Sequence, residues 1–221
     1  MKKSVLTLVA VIAATTLWAQ PLSPAKEGVS LTYATKNAKG KVQSYSKQTV
    51  TSVEGSGNNF TITYSSEALD AKKKAQAGVP VLSYSYRVEN GAVIIDPKAL
   101  LNGLTTGSTD GAAEGTPMVL PANMKAGDVL PDCEVNMQIA FLKISASYTE
   151  GVCEGEESLT TEAGTFLCKK TKFRCKSSAM GIKTEMIVQA WYAPGVGLVK
   201  QDMYTVKGKL NTTQVLVELI D

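Results

Sequence analysis

The sequence predicts an all-β protein: a curled antiparallel meander forming an open or closed barrel, with one short helix near 97–103. Three observations predict it. Apolar and polar residues alternate with period two along most of the chain, and turn residues interrupt these runs at hairpin spacing. One long run, 133–148, changes its apolar face midway. Alternation gives a strand one dry and one wet face, which suits a sheet wrapped around a core.

The elements follow in order. Five strands are read at 28–35, 41–53, 60–68, 80–89 and 92–96. Phe60, Ile62 and Tyr64 alternate with Thr61, Thr63 and Ser65, and Leu82, Tyr84, Tyr86 and Val88 with Ser83, Ser85 and Arg87. The turns are "NAKGK", "GSGNN" and Asn90-Gly91, whose residues both tolerate positive φ. "AKKKAQAG" at 71–78 reads as a charged tip. Asp96 and Pro97 suit a helix start and Gly103 its end. The small, polar stretch 107–117 reads as a mobile connection between two strand sets. The second set is read at 133–148, 151–159, 165–177, 182–193 and 196–206, with a closing strand at 213–220. In the first of these, Val135, Met137, Ile139 and Phe141 share one parity, and Leu142, Ile144, Ala146 and Tyr148 the other. A one-residue bulge at Phe141/Leu142 accounts for the switch and bends the strand, as a curling sheet requires.

The leader "MKKSVLTLVAVIAATTLWAQ" places two lysines before an apolar run of about 14 residues, short of the about 20 that span a bilayer. It reads as a signal peptide over 1–19, with Leu17 larger than usual near the cut, leaving a single β domain over 20–221. No cysteine follows the cut, so a lipid anchor is not expected, nor is a transmembrane segment. Losing Lys2 and Lys3 lowers the net charge of +3 to +1, which does not suit nucleic acid. The expected location is the periplasm or cell envelope.

Cys133, Cys153, Cys168 and Cys175 make an even count in an oxidising compartment, which predicts two disulfides, pairing unassigned. Free buried thiols are the alternative. A metal site is not expected, because the closest cysteines are seven apart and the chain has no histidine. The missing histidine also excludes Ser-His and Cys-His nucleophiles. No cofactor is implied, and the protein is read as a non-enzyme.

"PGVGLVK" lacks the spacing of a phosphate loop and leads into an alternating strand, so it reads as a bend. Trp191 and Tyr192 then lie on opposite faces. Glu154 and Glu156 are read on one strand face with Glu157 opposite, a solvated edge in preference to a catalytic pair. Lys170, Lys172, Arg174 and Lys176 line one face of a strand. They read as a wet face that discourages edge pairing, with an anionic partner as the alternative.

The segments "LPANMKAGDVLPD", "EGEESLTTEAGTFLCKK" and "WYAPGVGLVK" occur in this order, with "EGVSLTYATKNAKGK" near the start. Together they resemble the exported Bacteroidetes proteins grouped as domain of unknown function 3108-like, also called TapB-like. The likeness extends from about Leu120 to Leu219. It implies export and a β fold; it implies no reaction and no disulfide at Cys133 or Cys153.

A curled sheet of this size can enclose an apolar cavity. The expectation is therefore a binding module for an apolar or amphipathic envelope molecule. The rival is an envelope structural or protein-interaction domain with a filled core, so the expected partner is a lipid-like ligand or an envelope protein. The residues read as an apolar groove are Phe141, Leu142, Phe166, Phe173, Trp191 and Tyr204. Leu100, Leu101 and Leu104 of the short helix would form its lid.

Overall fold

Where inward apolar and outward polar residues alternate, the chain is extended and pairs with its neighbour. The computed structural model describes residues 20–97, 111–139 and 142–221. Its fourteen strands begin with β1 (Ser30–Asn37), β2 (Val42–Ser56), β3 (Asn59–Leu69), β4 (Leu82–Glu89) and β5 (Ala92–Ile95). Next come β6 (Gly111–Thr116), β7 (Met118–Leu120), β8 (Val129–Leu130) and β9 (Cys133–Ile139). The chain ends with β10 (Leu142–Thr161), β11 (Gly164–Ala179), β12 (Ile182–Ala193), β13 (Gly197–Thr205) and β14 (Leu210–Ile220).

They form one antiparallel sheet in the order β6-β9-β10-β11-β12-β13-β14-β1-β2-β3-β4-β5-β7, with β8 beside β10. The last strand returns to the first: β14 pairs with β1 from Ser30↔Ile220 to Asn37↔Thr212. The two ends of the sheet, β6 and β7, are separated in sequence only by Pro117. Strand β6 pairs with β9, and β7 pairs with β5. Proline has no N–H to give a ladder, so it sits where the chain leaves one partner for the other. The result is a nearly closed barrel with one unsealed seam.

Three strand expectations change. The run 133–148 is a hairpin of β9 and β10, with Ile139 opposite Leu142. Two residues between paired positions reverse parity just as a bulge does, so the pattern at Phe141/Leu142 fits both. The break near 148–151 is absent. Strand β10 runs through it with shifts of register between Thr149 and Val152 and between Cys153 and Gly155. Residues 111–116, within the connection expected over 107–117, form β6. The helix expected over 97–103 lies, Pro97 apart, outside the described residues, as does the leader 1–19.

The four cysteines are free and buried. Tyr148 pairs with Cys133 on one side and Cys175 on the other. Those two thiols are thus two strands apart, roughly 9–10 Å, beyond the about 7 Å that a disulfide bridges. Cys153 and Cys168 belong to separate apolar clusters. The expected disulfides are not formed.

The main core packs inside the barrel around Leu31, Val50, Ile62, Val88, Leu120 and Leu216. A smaller cluster of Cys168, Trp191, Ala193 and Val199 lies on the outer face. Residues before β1 close one end of the barrel. Gly195 N–H donates to the Pro21 carbonyl at 2.9 Å, and buried Ser23 shares a 2.8 Å hydrogen bond with Tyr64. The "PGVG" stretch is thus a bend that seats the chain before β1. Gly197, at φ +94, has Leu22 O 3.4 Å from where a Cβ would sit.

Candidate functional site

The barrel interior is not filled. A cavity of about 340 Å³ lies inside it, lined from nearly every strand around the sheet. Its apolar wall includes Val93 and Ile95 of β5, Met118 and Leu120 of β7, and Cys133 and Val135 of β9. These are the strands on either side of the seam, so the cavity abuts the unsealed part of the wall. Phe173, Val188 and Ala190 continue the wall on β11 and β12.

Five tyrosines line the cavity: Tyr33, Tyr64, Tyr86, Tyr148 and Tyr192. Inward parity on β1, β3, β4, β10 and β12 turns them all into the interior. Tyr64 is directly opposite Tyr84, and their rings stack at 5.7 Å. The Tyr86 ring lies 5.4 Å from each. Tyr148 meets Phe173 edge-on at 6.2 Å. The Tyr33 hydroxyl donates to the Leu198 carbonyl at 2.9 Å. Such rings supply apolar area together with a hydrogen-bonding tip.

Burial disfavours the ionised form of these groups. It pushes Tyr33 and Tyr192 well above the usual phenol value, and Tyr86 up to about 12. The Cys133 thiol is likewise pushed up to about 11 by burial. No lining residue is charged. The polar groups besides the tyrosines are chiefly Gln48, Gln201 and Gln214, with Gln201 directly opposite Gln214. All three are half-buried, whereas Leu22 and Ser23 at the other end are buried. Ile95, Met118 and Val135, beside the seam, are half-buried as well. The cavity can accept an uncharged molecule with an apolar body and a hydrogen-bonding end.

Of the residues expected to form a groove, Phe173 lines this cavity. Trp191 faces outward, with Lys170 and Lys200 ammonium groups 5.2 and 4.7 Å from its ring centroid. Its Nε1–H donates to Glu157 at 3.1 Å. Phe166, near the β10–β11 turn, packs partly buried against both clusters. Tyr204 faces outward and donates to Asp202 at 3.2 Å. Leu142 is half-buried at the start of β10. Phe141, Leu100, Leu101 and Leu104 lie outside the described residues.

Tyr192 is the inward partner of the Trp191–Tyr192 pair. A signal for the missed residues was present: Tyr64, Tyr84 and Tyr86 share the parity of core positions, as Gln214 shares that of Leu216. Polar atoms at core parity need room or partners.

The basic stripe of β11 faces outward, and two of its four side chains are held in ion pairs. Lys170 reaches Glu154 at 3.3 Å and Glu157 at 3.7 Å. Arg174 reaches Glu150 and Glu185, each at 2.8 Å. Glu154 and Glu157 thus share the outer face, and Glu156 pairs instead with Lys169 at 2.7 Å. The register shift at Gly155, where φ is +124, changes which glutamates align. Among the described residues, no group of three or more acidic, histidine or cysteine side chains could hold a metal.

An all-β barrel with one seam and an internal cavity defines the class. Residues 26–216 match the DUF3108-like family, and the chain belongs to that family. Two solved structures share the fold. One is a candidate exported protein with a YmcC-like fold from Bacteroides fragilis, 19% identical, with TM-score 0.75, covering 91% of this chain and 100% of its own. The other is a candidate lipoprotein from Parabacteroides distasonis, 22% identical, with TM-score 0.75, covering 91% of this chain and 99% of its own. No curated protein matches the chain in sequence.

Proposed function

We propose that this protein is a non-catalytic binding module of the cell envelope that takes a neutral amphipathic molecule into its barrel. The observation that carries the reading is the cavity of about 340 Å³ with no charged side chain in its lining. Packed interiors leave few voids larger than a water, and ligand sites begin at about 300 Å³. The envelope location draws on the leader sequence and on the likeness to a candidate exported protein and a candidate lipoprotein.

The lining selects against charge. A carboxylate carried into this wall would lose its hydration and find no cation there. A hydroxyl, ester or amide finds the tyrosine hydroxyls and the glutamine amides. The test compares a long-chain fatty alcohol with the fatty acid of equal length at pH 8, using calorimetry and native mass spectrometry. The alcohol should bind at one site and the acid about tenfold or more weakly. Ala190→Trp, which projects into the cavity, should abolish both. Tight acid binding would overturn the neutral class and leave the cavity reading standing. No binding of either, with clean protein from the native host, would favour a scaffold.

A further inference from the structure

The meander topology sorts the turns onto two ends of the barrel. The β1–β2, β3–β4, β9–β10, β11–β12 and β13–β14 connections share one end, because consecutive antiparallel strands alternate in direction and β14 returns beside β1. That end is basic. Lys39 and Lys41 are exposed on the first connection, and Lys72, Lys73 and Lys74 on the second. Lys143, Lys183, Lys207 and Lys209 are exposed on or beside the others. Two acids stand against them: Asp70, whose carboxylate accepts the Lys72 and Lys74 N–H groups of its own turn, and Glu185 beside Lys183, which pairs with Arg174. Lys36, next to the end of β1, already pairs with Glu162 and is not counted. The opposite end exposes Glu27, Glu54, Glu89, Asp128, Asp132 and Asp221.

The basic end is also apolar at its tips. Five of the eight most exposed large apolar side chains among the described residues lie there: Val79, Val81, Met180, Ile182 and Val206. Met180 and Ile182, at the β11–β12 tip, are 76% and 70% exposed. The backbone makes the same point. Asn90-Gly91 at the acidic end turns with φ 52° and 82°, using the asparagine such a turn favours. Met180-Gly181 adopts nearly the same angles, 52° and 79°, with methionine where asparagine is at ease. A strained, exposed methionine beside lysines contributes nothing to this core.

We infer that this end docks on an anionic lipid bilayer, its lysines at the headgroups and the Met180, Ile182 and Val206 tips in the interface. Lysines with exposed apolar tips match both layers of such a surface. A soluble polyanion would use the lysines and leave the apolar tips without a role. Docking does not depend on what the cavity holds.

The test is flotation of the purified protein with vesicles of phosphatidylcholine containing phosphatidylglycerol, against phosphatidylcholine alone. Binding should require the anionic lipid and weaken with salt. Lys207→Gln and Lys209→Gln should each lower partitioning about fivefold. Met180→Asn with Ile182→Ser should lower it comparably; asparagine suits that φ, so the fold is retained and its melting is checked alongside. Lys125→Gln at the opposite end should change nothing. Equal binding to both vesicles, no binding to either, or equal loss with Lys125→Gln would overturn the proposal. Loss with the lysine variants but wild-type binding by the apolar variant would also overturn it, in favour of a soluble polyanion.

Discussion

Ala190→Ile separates an empty barrel from a filled one by the sign of its effect. Ala190 is buried, pairs with Thr171 and Gln201, and faces the cavity. The substitution adds three carbons and a β-branched side chain that strands favour. Against a cavity of about 340 Å³ the new atoms displace no neighbour. At about 0.8 kcal/mol per buried CH₂, the gain is at most about 2 kcal/mol. For a chain of this size that raises Tm by roughly 4–8 °C. In a close-packed core the same change costs about 1–3 kcal/mol, and Tm falls. Differential scanning calorimetry of ligand-free protein reads the sign directly. A Tm lowered by several degrees, with unchanged secondary structure, would refute the cavity.

Three further outcomes follow from particular contacts. Tyr64→Phe removes the partner of buried Ser23; stability should fall by about 1–3 kcal/mol, with faster proteolysis near residues 20–24, and an unchanged denaturation midpoint would contradict this. Alkali should destabilise the fold. Burial raises Cys133 and Cys168 from 9.0 to about 11 and Tyr86 from 10.0 to about 12, so between about pH 9 and 12 the unfolded chain holds fewer protons and stability drops as pH rises; denaturant midpoints that stay level from pH 8 to 11 would argue against buried thiols. Gly115→Ala places a Cβ against the Glu134 carbonyl at φ +133; hydrogen exchange at 111–116 should quicken as β6 leaves β9, and protection equal to wild type would show the seam tolerates it.

Most of the strand set was legible because alternation is local. Phe60, Ile62 and Tyr64 announce a strand whatever lies beside them, and Asn90-Gly91 announces its turn. What parity does not carry is which face points inward. Trp191 and Tyr192 were separable as opposite faces, yet only the nearly closed barrel assigns Tyr192 to the cavity and Trp191 to the lysine-flanked outer surface. The parity reversal at Phe141/Leu142 has two solutions, a bulge or a two-residue hairpin, and the pairing of Ile139 with Leu142 selects the second. The cysteines were countable from sequence, but their pairing depends on spacing across strands, and Tyr148 stands between Cys133 and Cys175. The lysines and exposed apolar residues of the turns lie far apart in the chain and become one surface only when the meander closes. By itself the sequence determined period, turns and the absence of histidine chemistry. The tertiary structure alone decided inside from outside, because that distinction belongs to the curled sheet and not to any one strand.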